Sequence, residues 1–295
     1  MEIRSFFDAR TFTLTYVVWD PATRDAVVID PVLDYEPVGS YTFTDSVDQV
    51  GEFLKTQGLK LRWALETHAH ADHLTGSALL KRRFDTKVAI GRPITKVQAT
   101  FKEVFDLEHL ATDGRQFDRL LDDGEVLEAG SLKIKVIATP GHTPACMTYQ
   151  IGDALFTGDL IFMDDYGTGR CDFPAGSAAD MYDSIQKLYQ MPDSTRVFPG
   201  HDYPPPSRGV KWETTIAAEK ANNPQLNGKT SKETFVKMRY DRDKGLAAPK
   251  LLFPSVQVNI DAGRMPPANA AGHRYLQVPI NLFRPADELG EPKPR

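Results

Sequence analysis

The stretch Thr67-His68-Ala69-His70-Ala71-Asp72-His73-Leu74 decides how the rest of the chain is read. It gathers three of the seven histidines around one aspartate, just after the apolar run Leu61–Leu65. Imidazole and carboxylate are the common ligands of zinc, iron and manganese. In an extended segment alternate side chains point the same way, which puts His68 and His70 on one side. Asp72 and His73 lie further along, where a loop can turn them toward a neighbouring position. One histidine here would read as a solvated loop residue. Three with an aspartate, at the end of an apolar strand, read as metal ligands.

Working outward, the same arrangement recurs. His142 follows the strand-like Leu132–Ala138 inside Thr139-Pro140-Gly141-His142-Thr143-Pro144. Asp159 follows Ala154–Phe156 inside Thr157-Gly158-Asp159, and His201 follows Val197-Phe198 inside Pro199-Gly200-His201-Asp202-Tyr203. Glycine beside each lets the backbone bend and approach closely. Each turn alone reads as surface. Together, four strand ends deliver ligand-type residues, and strands lying side by side would bring them to one rim. His109 and His273 have no such context and read as ordinary.

The totals set bounds. At 295 residues, 41% apolar and 25% charged, the chain has the make-up of a soluble globular protein with a sizeable core. A net charge of −5, with no basic, aromatic-interleaved stretch, argues against a nucleic-acid partner. Two cysteines, Cys146 and Cys171, make no disulfide framework and suit a reducing compartment. Both read as buried thiols. The opening MEIRSFFDARTFTLTYVVWD has neither a long apolar run nor a small-residue cleavage site, and no segment is long enough to span a bilayer. The expectation is a cytoplasmic protein with no membrane partner; a homo-oligomer is compatible with all of this.

Along the chain, strand and helix alternate. Thr11–Trp19, the turn Asp20-Pro21-Ala22-Thr23 and Ala26–Ile29 predict a hairpin. Ser46 is a candidate cap for a helix through Val47, Val50, Phe53 and Leu54, stopped at Gly58. Thr75–Phe84 predicts a helix, Lys87–Ile90 a strand and Pro93–Leu110 a longer helix; a polar loop then runs through Asp123-Gly124. Met147–Ile151 and Ala154–Phe156 predict a second hairpin, Ala178–Tyr189 an amphipathic helix. After Pro204-Pro205-Pro206, helices are predicted over Trp212–Asn222 and Glu233–Arg239, the second with a Thr230/Glu233 capping box. Phe101–Phe105 reads as helix packing, and the tail from Pro249 as proline-rich. Mixed strands and helices argue for an α/β (α+β) fold of sheets covered by helices.

The ordered set His68, His70, Asp72, His73, His142, Asp159 and His201 resembles the metallo-β-lactamase superfamily over about Phe7 to Tyr203. That resemblance implies an αββα sandwich, two facing mixed sheets flanked by helices, with the metal at one edge. It implies a core over 1–203, and we expect 204–295 to be a helical, proline-rich extension packed on the same domain. Within the superfamily, Ala71-Asp72-His73-Leu74-Thr75-Gly76-Ser77, Ile29-Asp30-Pro31-Val32, Gly169-Arg170-Cys171-Asp172-Phe173 and Asn223-Pro224-Gln225-Leu226 resemble the persulfide dioxygenases, in particular the longer bacterial type. Roughly Gly91 to Asp123 and the chain beyond Tyr203 are longer than in the compact members. The resemblance implies oxidation of glutathione persulfide by O2 at one Fe(II) per chain, giving sulfite and glutathione. It carries the iron ligands over to His68, His142 and Asp159, a 2-His-1-carboxylate set that leaves open positions. His70, Asp72, His73 and His201 would stand around the iron and orient its ligands or a bound water.

Glutathione carries two carboxylates, so a cation is expected near the mouth. By similarity to related glutathione thioesterases, Arg170 and Tyr203 are the candidate substrate contacts, with Lys211, Arg239 and Lys250 also within consideration. The alternative is a dinuclear-zinc glutathione thioesterase of the glyoxalase II type, with Asp72, His73 and His201 joining Asp159 on a second metal. A non-enzymatic sensor and a nuclease are weaker readings.

Overall fold

The computed structural model describes residues 1–282 and 285–292. The first half runs β1 (Glu2–Asp8), β2 (Thr13–Trp19), β3 (Asp25–Ile29), β4 (Val32–Glu36), β5 (Tyr41–Phe43), α1 (Asp45–Thr56), β6 (Lys60–Leu65), β7 (Leu74–Thr75), α2 (Ser77–Phe84), β8 (Lys87–Gly91), α3 (Ile94–Val104) and β9 (Arg119–Leu121). The second half runs β10 (Val126–Ala129), β11 (Leu132–Ala138), β12 (Met147–Ile151), β13 (Ala154–Gly158), α4 (Ala178–Tyr189), β14 (Arg196–Pro199), β15 (Thr214–Thr215), α5 (Ile216–Asn222), α6 (Lys232–Asp243) and α7 (Leu252–Asn259).

Two mixed six-stranded sheets result, ordered β1-β2-β3-β6-β8-β9 and β10-β11-β12-β13-β14-β15, with a small ribbon β5-β4-β7 beside them. They face each other. Leu14, Tyr16, Val18, Val27 and Ile29 of one interleave with Ile134, Val136, Tyr149, Phe156 and Phe198 of the other in one buried cluster. Period-two alternation sends the remaining strand residues outward. Val17, Trp19, Ala26 and Val28 meet Val47, Val50 and Leu54 of α1. Ile137, Leu155 and Val197 meet Met181, Ile185 and Leu188 of α4. With both faces covered, strands such as β2 and β3 read as unbroken apolar runs. This is the expected αββα sandwich. Among the described residues, no helix is long and apolar enough to cross a membrane.

Both predicted hairpins form, β2 against β3 and β12 against β13, each antiparallel. Other boundaries moved for identifiable reasons. The helix expected over 93–110 stops at Val104, because Asp106 takes a left-handed φ of 53°; Phe105, Leu107 and Leu110 stay buried as a loop. The helix expected from Thr75 starts at Ser77, because Leu74 and Thr75 pair with β4. Ser46 does not cap α1; Thr44 precedes the helix, and the Ser46 hydroxyl donates instead to Asp34 at 2.8 Å. Ser231, rather than Thr230 with Glu233, caps α6, accepting from the Thr234 N–H. The helix expected from Trp212 begins at Ile216. Short β1, β4, β5, β9 and β10 escaped the pattern reading, as did α7. Its Pro254 sits in the first turn, where a missing N–H costs nothing.

Candidate metal centre

The ligand-type residues meet at one edge of the sandwich, just past the ends of β6, β11, β13 and β14. Close approach is built in. Gly158 has φ 52° and an added Cβ would lie 2.4 Å from Thr67 Oγ1. A Cβ on Gly169 would lie 2.0 Å from the Asp159 carbonyl oxygen. Neither position accommodates a side chain, and both lie against the strand ends that carry the ligands.

Each ligand ring is oriented from behind. Thr67 donates to Asp30 through its N–H (2.7 Å) and its hydroxyl (2.8 Å). That hydroxyl has one proton, given to Asp30, so toward His68 Nδ1 at 3.0 Å it acts as acceptor. The His68 proton therefore sits on Nδ1 and the Nε2 lone pair faces the site. His142 Nδ1 donates to the Arg170 carbonyl at 2.6 Å, and His73 Nδ1 to the Leu74 carbonyl at 3.1 Å, with the same result. His68 Nε2 and His142 Nε2 lie 3.9 and 3.7 Å from Asp159 Oδ2.

Ligand atoms of His68, His142 and Asp159 all lie within 4.8 Å of one another. Two ligands at about 2.1 Å from one ion sit roughly 3–3.5 Å apart, so this trio is close to closed around an ion. Buried Nε2 of His68, Nε2 of His73 and Oδ1 of Asp159 have no hydrogen-bond partner among the described residues. Buried polar atoms without partners are costly unless something else binds them. An N,N,O donor set of this kind fits a divalent metal such as Fe(II) or Zn(II).

The other residues form adjoining groups. Asp72, Asp159 and His201 make one, with His201 Nε2 at 3.2 Å from Asp72 and 3.3 Å from Asp159. His70, Asp72 and His73 make another. The His70 ring lies 4.0 Å from that of His68; its Nε2 is 3.1 Å from Asp30 Oδ1 and 3.8 Å from Glu66 without hydrogen-bond alignment to either, and its Nδ1 has no partner among the described residues.

Charge separates these groups. Burial drives His68 well below the ordinary imidazole value, with the charge of His70 adding. Burial and His70 likewise lower His73 to about 4. Burial also works against charge on His70, but Asp30 outweighs it and raises this ring to about 9. His201 is raised against burial to about 10 by Asp159 and Asp72. Burial opposes ionisation of Asp159, yet the charge of His201 beside it holds it well below the usual carboxylate range. His68 and His73 thus stand as neutral donors, while His70 and His201 are imidazolium partners of carboxylates.

Above this floor opens a cavity of about 630 Å³. Asp72, His142 and Asp159 line its base. Tyr203 forms a wall, stacked on His201 at 5.5 Å and packed against Tyr166 and Phe12. Arg170 lines it too, but its guanidinium is already paired with Asp172 at 2.5 and 2.6 Å and with the Ala247 carbonyl. Arg239 is fully buried and bound to Asp243, Thr168 and Gln225. Lys211 is absent from the lining, whereas Lys250 belongs to it. Asp30, quoted above only within Ile29-Asp30-Pro31-Val32, holds the ligand loop through Thr67; sequence reading passed over Arg242, which lines the cavity on α6, and Asn259, which holds the same loop. No local pattern marks any of these. Cys146 and Cys171 are buried as expected; burial raises the Cys146 thiol to about 12 and moves Cys171 the same way.

A family profile described as Metallo-beta-lactamase superfamily matches residues 9–201. The probable metallo-hydrolase of Burkholderia pseudomallei is 44% identical over 294 residues, spanning 96% of this chain and 100% of that protein. Glyoxylase B2 of Dictyostelium discoideum is 43% identical over 286 residues, spanning 96% and 98%. Human mitochondrial persulfide dioxygenase ETHE1 is 31% identical over 268 residues, spanning 90% of each. The crystal structure of ETHE1 from Myxococcus xanthus superposes with a TM-score of 0.72 at 34% identity, covering 90% of this chain and 100% of that one.

Proposed function

The chain belongs to the metallo-beta-lactamase superfamily, and from that premise we propose that it is a persulfide dioxygenase using one iron(II) per chain. The substrates are glutathione persulfide and O2. One persulfide, one O2 and one water give one thiol and one sulfite, with release of two protons. The observation that carries the reading is the segregation of the ligand shell. His68, His142 and Asp159 form one group, His70 Nε2 lies against Asp30, and His201 Nε2 stands between Asp72 and Asp159 at 3.2 and 3.3 Å. We read that arrangement as a site for one metal, with His201 held between the Asp72 and Asp159 carboxylates.

His68 Nε2, His142 Nε2 and an Asp159 oxygen would hold the ion. A 2-His-1-carboxylate iron supplies open positions at which a soft persulfide sulfur and O2 can both bind. The chain's own residues do the remainder. Asp30 acts through Thr67 to keep the His68 proton on Nδ1, and the Arg170 carbonyl does the same for His142. His201 holds a proton at Nε2 beside Asp72, and His70 and His73 complete the shell. Tyr203, Tyr166 and Phe162 line the cavity with aromatic surface. Arg242 and Lys250 line the mouth and have no carboxylate partner among the described residues, which suits them to the glutathione carboxylates. Arg170 and Tyr203 contribute on the substrate side, Arg170 as part of the wall. Residues 1–203 carry the ligand-type side chains, and Arg239, Arg242, Leu246 and Pro249–Leu251 of the C-terminal extension help line the cavity. A cytoplasmic setting accords with two free, buried cysteines.

The second reading, a dinuclear-zinc thioesterase, has its own support in the Asp72–Asp159–His201 group. It would use the His201 Nε2 lone pair on a second metal, with the Nε2 proton released to solvent. The deciding experiment is metal content and O2 uptake on one anaerobically purified sample, offered glutathione persulfide and, separately, a glutathione thioester. One iron per chain with O2 consumed and sulfite formed supports the dioxygenase. Two zincs per chain with thioester cleavage and no O2 uptake replaces it with the hydrolase.

A further inference from the structure

The ligand loop is bound from a distant element. Asn259, the last residue of α7, is 4% exposed. Its Nδ2 donates to the His70 carbonyl at 2.8 Å and to the His73 carbonyl at 2.7 Å. Its Oδ1 accepts from the Thr75 N–H at 2.8 Å. Two acceptors on one side and one donor on the other fix the orientation of the amide without ambiguity. A single side chain thus brackets residues 70–75, the arc that carries Asp72 and His73.

The other end of the loop is held separately. Asp30 grips Thr67, the Met147 N–H donates to the Thr67 carbonyl, and the Gly76 N–H donates to Pro31. Between Thr67 and Gly76, Asn259 supplies the grip on His70, His73 and Thr75. The surroundings are dry. Ala69 and Ala71 of the loop share a buried cluster with Leu252, Val256, Ile260 and Ala262. Carbonyls left unpaired there would bear the desolvation cost of an unmade hydrogen bond.

The clamp is itself rigidly seated. Gln98 of α3 donates to the Ile260 carbonyl at 2.9 Å and also bonds Gln116 and the Gly114 N–H. Gly263, at φ 82°, crosses so near the start of α2 that an added Cβ would lie 3.1 Å from Thr75 Cγ2 and 3.2 Å from Ala78. A side-chain clamp on a packed helix end positions more tightly than one on a mobile loop.

We propose that Asn259 is a positioning residue for the metal centre: by tying the His70 and His73 carbonyls and the Thr75 N–H to α7, it makes the C-terminal region part of the ligand shell. The inference rests on the metal-centre reading and is independent of which reaction the metal supports. Partners that orient a metal's ligands from outside typically weaken metal binding about 10- to 100-fold when removed.

The test is the affinity of the full chain for Co2+, read by chelator competition and by the visible spectrum of the bound ion. Wild type, Asn259→Ala and Val256→Ala are compared at matched temperature. Val256 is fully buried on the same helix and takes part in none of the three bonds, so its truncation tests α7 packing against the loop without removing them. The expected result is a 10- to 100-fold weaker Co2+ affinity and an altered spectrum in Asn259→Ala, with Val256→Ala close to wild type. Equal affinity in Asn259→Ala and wild type overturns the proposal. So does an equal loss in both variants, which would make the effect one of packing. Should Asn259→Ala fail to fold, the near-isosteric Asn259→Asp keeps the acceptor for Thr75, loses the donors and is expected to weaken Co2+ likewise. Failure of both to fold overturns the positioning role in favour of a purely structural one. Wild type that binds no Co2+ at all would instead sink the metal-centre reading itself.

Discussion

His142 and Arg170 are joined through the main chain: the Arg170 carbonyl accepts from His142 Nδ1 at 2.6 Å, while the Arg170 side chain turns away to Asp172. The residue that the sequence suggested as a substrate cation therefore also orients a ligand, through an atom that no substitution of its side chain removes.

This relationship separates two variants. His142→Ala is expected to lose most of its bound metal. Arg170→Ala is expected to retain about one metal per chain, because the carbonyl stays, and to cost about 1 kcal/mol or less for the partly exposed pair with Asp172. Metal analysis of the two purified variants checks this. Normal metal content in His142→Ala would remove it from the ligand set.

Arg242 and Lys250 should act on binding, since they line the cavity and have no carboxylate partner among the described residues. A charge-assisted hydrogen bond contributes about 1.5–3 kcal/mol. Replacing either by alanine should raise KM for glutathione persulfide about 10-fold or more and leave kcat near wild type. Steady-state O2 uptake distinguishes the two parameters. A fall in kcat with KM unmoved would place these residues in the chemistry instead.

Burial pushes the Glu219 carboxyl up to about 8 against a hydrogen bond from Asn223, with the charge of Asp164 adding. The folded protein therefore binds more protons than the unfolded chain between the ordinary value of 4.5 and about 8. By linkage, stability falls as pH rises through that window, and the deficit is complete above it, on the order of 5 kcal/mol. Glu219→Gln should flatten that slope and raise the melting temperature at pH 8 relative to wild type. Identical pH profiles of thermal unfolding would disprove the assignment.

Metal removal should be visible in stability as well as activity. A ligand present at 100 times its Kd stabilises by about 2.7 kcal/mol, which for a domain of this size corresponds to a rise in Tm of roughly 5–10 °C. Chelator-treated protein should melt lower by about that much and recover on anaerobic addition of Fe(II). A melting curve indifferent to chelator and metal would argue against an ion held by His68, His142 and Asp159.

Much of the fold was legible because its signals are local. Apolar runs at β2, β3, β11 and β12, and the 3.6-residue pattern of α4, need only a few neighbouring residues to be read. The misjudged boundaries depend on partners elsewhere. Leu74 and Thr75 became strand because β4 lies beside them, and Ser46 gave its hydroxyl to Asp34. The helix α7 was hidden in a tail whose prolines and weak amphipathicity suggest coil, and it forms because Val256 and Val258 are buried.

The sequence by itself determined which residues are candidate ligands and that each stands just past a strand, since histidine, aspartate and their flanking glycines are visible within a few positions. Tertiary structure decided how those residues divide: His68, His142 and Asp159 into one trio, His70 toward Asp30, and His201 toward Asp72. It also decided the supports. Asn259 reaches the His70 carbonyl across 189 positions of sequence, and Tyr16 reaches Pro199 across 183. A hydrogen bond is set by ångström distances and by the burial of both partners, and neither quantity is encoded in the spacing of residues so far apart in the chain.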